Sequence, residues 1–214
     1  MAASSENFAN HLVLHDVSWE SYTRLLEALG DRRLRHAYDR GTLEMMSPLK
    51  EHEWIKKLIG RMIEAASLEL EIPIQSVGSM TLRRDKKRRG LEPDECYYVG
   101  HESQVRSKSD YEPERDPPPD LAIEVDVTHA SLSRLEIYAS LGIPEVWRAA
   151  REGVIFHRLN RAGRYVEESA SKAFPLLTPT TIQRFLAMRG DKNETTLMRE
   201  FVRWVRAAKR SQSA

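Results

Sequence analysis

Residues 117–148 read PPPDLAIEVDVTHASLSRLEIYASLGIPEVWR, and this stretch decides the fold. The three prolines close an extended surface segment. The run DLAIEVDV at 120–127 is the strongest strand in the chain. Its near-continuous apolar character predicts a central strand covered on both faces. The segment SLSRLEIYASLG then predicts a short amphipathic helix ending at Gly142, and IPEVWRAA returns to strand. Two carboxylates, Glu124 and Asp126, stand at the end of the central strand. Residues two apart on a strand share a face.

Working outward, SWESYTRLLEALG predicts a helix opened by Ser18 and closed by Gly30. Two short strands flank Asp39-Arg40-Gly41, which reads as a hairpin turn. From about Lys50 to Glu71, Trp54, Leu58, Met62, Ala65 and Leu68 recur at steps of three and four and define a buried helical stripe. Pro73 stops that helix. IPIQSVGSMTLR and LEPDECYYVG each read as one strand, separated by the basic turn RRDKKRRG. Residues 101–119, rich in charge and carrying Pro113 and Pro117–Pro119, read as a surface loop. Downstream, GVIFHRL and RYVEE continue as strands, and 179–188 and 193–209 as helices. The order predicts an α/β (α+β) fold, a mixed β-sheet flanked by helices, with strands near 74–83, 92–99 and 120–127 forming a meander. The expected organisation is a flexible segment at 1–16, one domain at 17–190 and a helical extension at 191–214.

Bulk composition bounds the function. The chain has 214 residues, enough for a sizeable core in one domain. A formal net charge of +1 neither favours nor opposes a nucleic-acid partner, so charge placement has to decide. A single cysteine, Cys96, excludes an internal disulfide and nearly excludes a cysteine-based zinc site. The N-terminal MAASSENFANHLVLHD lacks the basic start and apolar core of a signal peptide, and no run is long and apolar enough to span a bilayer, so the expectation is a cytoplasmic protein without membrane contact. No GxxxxGK[ST] loop, GxGxxG turn or GxSxG elbow occurs, which argues against a nucleotide cofactor and against an α/β-hydrolase. His101, His129 and His157 show no zinc-ligand spacing.

The chemistry-bearing constellation is Asp94, Glu124 and Asp126, with Glu44 as a further candidate. Asp94 stands in Glu92-Pro93-Asp94 at the start of a strand. Close carboxylates repel one another and lose hydration on burial, and a divalent cation relieves both penalties. Mg²⁺ suits such a site, using one or two carboxylates with water and substrate phosphate; Mn²⁺ also suits oxygen ligands. The plainer account is that strand-end carboxylates reach solvent or form turns.

Here the chain resembles a family. PDECYYV, the block at 117–148 and the upstream YDRGTLEMMSPLKEHEWI look like the Uma2 family, formerly a domain of unknown function, over about Trp19 to Phe185. Uma2 is assigned to the PD-(D/E)XK nuclease superfamily and often labelled a restriction endonuclease. The resemblance implies a restriction-endonuclease-like core and metal-dependent hydrolysis of DNA. It matches Asp94 to the PD aspartate, Glu124 to the acidic residue of (D/E)XK, and Glu44 to an acidic residue ahead of the long helix. Together these three would hold Mg²⁺. The motif lysine is absent, because Asp126 occupies its position. The matching helical cation is Arg134, which can clamp a phosphate but cannot act as a base. His52 matches a family position where it could orient Glu44 or a water, Lys56 and Lys57 lie within possible reach of phosphate, and Tyr138 reads as a packing residue. Enzymes of this type commonly act as homodimers on pseudo-twofold DNA. The basic runs RRDKKRR at 83–89 and RWVRAAKR in the tail are candidate contacts, the first for DNA, the second for a partner subunit or the core. The alternative is a catalytically impaired nuclease-fold module that binds nucleic acid or a protein partner.

Overall fold

The structure is a computed structural model that describes residues 11–30, 35–113, 115–126, 132–150 and 152–212. Its elements run β1 (His11–Leu14), α1 (Trp19–Leu29), β2 (Arg35–Asp39), β3 (Thr42–Met46), α2 (Lys50–Leu70), β4 (Gln75–Gly78), β5 (Leu82–Arg84), β6 (Arg89–Leu91), β7 (Glu95–Tyr98), α3 (Glu102–Val105), β8 (Leu121–Asp126), α4 (Arg134–Leu141), β9 (Glu145–Ala150), β10 (Gly153–Leu159), β11 (Tyr165–Glu168), α5 (Pro179–Leu186) and α6 (Glu194–Gln212).

The strands form two sheets where the sequence suggested one. A five-stranded sheet has the order β1-β3-β2-β6-β5, and a six-stranded sheet has the order β11-β10-β9-β8-β7-β4. The larger sheet is mixed: β8 and β9 run parallel, and its other pairs are antiparallel. The expected meander is β4-β7-β8 within it.

Each of two stretches read as a single strand is split between the sheets. Gly78, with φ of 61° and a register shift beside it, ends β4 and sends the chain on to β5. Pro93 lacks an amide hydrogen and cannot continue a ladder. The chain therefore leaves β6 and enters β7 across Glu92-Pro93-Asp94. Alternation within a run marks local strand character but not which sheet receives it.

Local signals account for most boundaries. The Ser18 side chain accepts a hydrogen bond from the Ser21 amide, capping α1. Arg40 and Gly41 both have positive φ, as a two-residue hairpin turn requires. The Thr178 hydroxyl caps α5 with Pro179 in the first turn.

The main core lies between the six-stranded sheet and helices α2, α5 and α6, with Ile59, Ile63, Ile123, Trp147, Phe156 and Phe201 at its centre. A second cluster joins Ala122 and Val146 to Ile137 and Tyr138 of α4 and to Leu82 and Leu91 of the smaller sheet. Strand β8 is thus covered on both faces, as its apolar run predicts. Helix α4 is held between the two sheets.

Both terminal segments contribute to the packed structure. Within the segment taken as flexible, His11–Leu14 pair antiparallel with β3, while residues 1–10 lie outside the described residues. The helical extension is an integral layer: Leu197, Met198, Phe201 and Val205 of α6 join the main core, and Phe201 packs edge-on to Phe185 at 5.1 Å. Phe201→Ala is expected to lower stability by about 3–5 kcal/mol, the usual cost of emptying a buried aromatic site, measured as a fall in the denaturant midpoint.

Candidate active site

The turn at Glu92-Pro93-Asp94 and the end of β8 bring the site together. At the sheet switch, the Asp94 amide donates to the Ile123 carbonyl at 3.2 Å, and the Val125 amide donates to Asp94 Oδ2 at 2.7 Å. The carboxyl is thereby fixed against the backbone of β8. From α2, His52 Nε2 lies 3.0 Å from the same oxygen. On the other side of β8, Glu124 points toward α4. Arg134 Nη1 donates to Glu124 Oε1 at 2.7 Å, and Tyr138 Oη donates to Oε2 at 2.6 Å. Asp94, Glu124, His52 and Arg134 are all buried.

Arg35, at the start of β2, braces the switch. Its Nη1 donates to the Pro93 carbonyl at 2.6 Å and to Glu92 Oε1 at 3.1 Å. Its Nε lies 3.3 Å from Asp94 Oδ1, a charge contact without hydrogen-bond alignment. Nothing in the sequence marked Arg35, because its role exists only once β2 lies beside β6.

The electrostatics divide the two carboxylates. Burial works to raise the Asp94 pKa, but the hydrogen bond and charge of His52, the charge of Arg35 and the Val125 amide together hold it below the ordinary range. Burial is also the largest influence on Glu124. Arg134 opposes it, the negative charge of Asp94 adds to it, and the Glu124 carboxyl is pushed up to about 7. Burial disfavours charged His52, yet the hydrogen bond and charge of Asp94 outweigh this, so its pKa is raised. One carboxylate is therefore firmly anionic, and the other titrates near neutrality. Such a separation is characteristic of catalytic pairs.

The remaining sequence candidates fall around this centre in different ways. Glu44 on β3 is fully buried. Its Oε1 is 2.6 Å from His11 Nε2, and its Oε2 accepts from the Leu132 amide at 3.2 Å. Among the described residues, no group of three His, Cys, Asp or Glu side chains is gathered to hold a metal, so Glu44 does not complete a trio with Asp94 and Glu124. Asp126 shares the face of Glu124 but pairs with Arg148 of β9 at 2.6 Å. Lys56 is buried with its Nζ 3.0 Å from Glu53, while Lys57 is exposed. Tyr138 is packed, as expected, yet its hydroxyl also reaches Glu124. His101 contacts Asp120 at 2.7 Å, and His129 lies outside the described residues.

Part of the 83–89 basic run is structural. Lys87 Nζ donates to the Ser140 carbonyl at 2.7 Å, at the C-terminal end of α4 where a cation is favoured. Arg89 bridges Asp39 and the Glu136 carbonyl. The hairpin thereby clamps the helix that carries Arg134.

Three polar atoms in the centre have no hydrogen-bond partner among the described residues: Asp94 Oδ1, His52 Nδ1 and Arg134 Nη2. Buried polar groups are normally satisfied. An unsatisfied anion and an unsatisfied cation in one centre suit a ligand carrying both signs, such as a cation with a phosphate.

The mixed α/β core, two sheets flanked by helices, has a restriction-endonuclease-like fold. The family described as Uma2, "Putative restriction endonuclease", matches residues 19–188, and the chain belongs to it. Among solved structures, the chain is similar to the crystal structure, at 1.96 Å, of a "putative nuclease belonging to DUF820" from Anabaena variabilis ATCC 29413. That match has a TM-score of 0.55 and 11% identity, and covers 78% of this chain and 98% of the other. At this identity the likeness establishes the shared fold. No curated protein matches the chain.

The raised Glu124 pKa gives a signed expectation. Between its ordinary value of 4.5 and its folded value near 7, the folded protein binds more protons than the unfolded chain. The stabilising contribution of this group is fully present below about 4.5 and is lost as pH rises through 7. Carbon-detected NMR of the Glu124 carboxyl should show a midpoint near 7. Arg134→Ala removes the opposing positive charge and should move that midpoint higher; an unchanged midpoint would refute the assigned electrostatics.

Proposed function

We propose that this chain is a metal-dependent endodeoxyribonuclease that hydrolyses phosphodiester bonds in DNA. The observation that carries the proposal is the pair of buried carboxylates at the end of β8, Asp94 held by the Val125 amide and His52, and Glu124 held by Arg134. Family membership and fold support a nuclease.

Asp94 and Glu124 suit Mg²⁺, which takes one or two carboxylates and fills its remaining positions with water and phosphate oxygens. The unsatisfied Asp94 Oδ1 supplies an oxygen for it. When bound, such an ion supplies Lewis acidity and a water of lowered pKa; Mn²⁺ offers the same oxygen preference. The chain's own residues then have distinct tasks. Arg134 presents the free Nη2 to phosphate charge while its Nη1 stays on Glu124. Glu124 can accept or release a proton at neutral pH. His52 holds the Asp94 carboxylate in place, and Arg35 holds the turn that carries it. Glu44 assists from outside the pair, through water, and Asp126 shapes the margin through Arg148. A DNA substrate is compatible with the cytoplasmic location expected from the sequence, and duplex symmetry favours a homodimer.

A specific observation favours a second reading, a binding module that has lost catalysis. Both oxygens of Glu124 already accept hydrogen bonds from Arg134 and Tyr138, and Asp126 stands where the family motif places a lysine. Such a module retains DNA affinity after Glu124→Ala.

Supercoiled plasmid should be nicked in Mg²⁺ or Mn²⁺ and left intact in EDTA. Glu124→Ala is expected to abolish nicking, and Arg134→Ala to slow it by about 10²–10³-fold, the usual cost of removing a donor from developing charge. Nicking that persists in Glu124→Ala would remove the site from consideration, and intact plasmid across metals would favour the binding module.

Metal binding is open to a separate check. Mn²⁺ should raise the melting temperature of the wild type and fail to raise that of Asp94→Asn. Protons compete for Glu124, so the rise should shrink as pH falls below about 7. No melting shift at any pH would count against a metal site.

A further inference from the structure

We propose that the groove between α2 and α6 is a second nucleic-acid site, one that grips the phosphodiester backbone away from the carboxylate centre. It rests on the nucleic-acid reading above but not on catalysis. The groove has a volume of about 350 Å³ and is lined by Arg61, Arg199, Arg203 and Arg206, with Met198 and Val202 among its apolar lining residues.

The four arginines are not equivalent. Arg61 is paired with Glu194 at 2.6 Å, and Arg206 makes two hydrogen bonds to Glu69 at 2.7 and 2.8 Å. These pairs tie α6 to α2 and fix the groove walls. Arg199 and Arg203 are exposed, and neither has an acidic partner among the described residues. Standing four residues apart, they lie on one face of α6, about 6 Å apart along its axis.

An exposed basic helix face can serve solubility alone. Three features argue for a ligand here. The cations sit in a concavity rather than on a convex surface. All four are arginines, whose planar fork suits phosphate oxygens in a way lysine does not. No acidic residue is among the groove's lining residues, and the neighbouring Glu194 and Glu69 pair with Arg61 and Arg206, leaving Arg199 and Arg203 uncompensated. An anionic, extended partner complements that arrangement.

Helix α2 carries His52 in its first turn and Arg61 further along the same helix. From the helical rise and twist, Arg61 stands about 13 Å along the axis and about half a turn round from His52, so the groove is a face separate from the carboxylate centre. Helix α6 lies beyond the residues that match the family, 19–188, while α2 lies within them.

The test uses the full chain in EDTA, where no turnover occurs, with fluorescein-labelled duplex DNA followed by anisotropy from 50 to 200 mM salt. The double variant Arg199→Ala/Arg203→Ala is expected to bind at least about 10-fold more weakly at low salt. Its slope of log affinity against log salt should fall by nearly 2, since each phosphate contact contributes about 0.9. Arg161→Ala/Arg164→Ala, in the β10–β11 turn, makes the same charge change elsewhere and should leave the slope as in wild type. A groove variant that matches wild type, or that only matches this control, overturns the proposal. Plasmid nicking is measured in parallel. Nicking retained with an unchanged salt slope leaves the nuclease standing without this site. A wild type that never nicks but loses DNA through the groove variant supports the site and discards the nuclease. A groove variant with unchanged DNA binding and a lost dimer, seen by sedimentation, assigns the face to a second copy of this chain and overturns the proposal.

Discussion

The Val125 amide donates to Asp94, and that hydrogen bond ties the point where the chain changes sheets to the end of its central strand. A buried carboxylate is costly unless it is paired and hydrogen-bonded. Asp94 therefore gathers what satisfies it: the amide from β8, the imidazole from α2 and the guanidinium from β2. Three separate elements meet because one buried charge requires them to. The same requirement keeps Arg35 at the sheet switch, where it also holds the Pro93 carbonyl.

Glu124 faces a related constraint and resolves it differently. It is flanked by a guanidinium and a phenol from α4, yet burial and the neighbouring anion still lift its pKa to about 7. The two carboxylates thus differ in charge state although both lie within the same buried region. Helix α4 forms one wall of the site. It is pinned from outside by Lys87 and Arg89, so the basic hairpin that resembles a DNA contact in sequence serves first as a clamp on the helix bearing Arg134.

Much of this was legible in the chain. The apolar run now seen as β8 and the hairpin at Arg40-Gly41 reflect a periodicity and a turn constraint that act locally, and both stand where expected. The long helix also forms, but its buried stripe is Leu58, Ile59, Met62, Ile63 and Ala66, while Leu68, expected in it, is 79% exposed and Trp54 and Ala65 are half-buried. Asp94, Glu124, His52 and Arg134 were also marked in advance, and they meet. Glu44 was marked with them, but His11 from the edge strand and the Leu132 amide take its oxygens. The tail helix was read as an extension, yet its apolar stripe of Leu197, Phe201 and Val205 has no other place to be buried than on α2 and α5.

The sequence by itself determined which segments are helix and strand, which strand is central, and which carboxylates can share a face. These follow from periodicity, turn chemistry and burial, all properties of near neighbours. Only the tertiary structure decided that two strand-like runs divide between two sheets, that Arg35 braces Asp94, and that Arg148 pairs with Asp126. Pairing partners and charge partners lie tens of residues apart, and no local pattern encodes them. Long-range packing fixes those contacts, and with them the charge states on which the proposed chemistry depends.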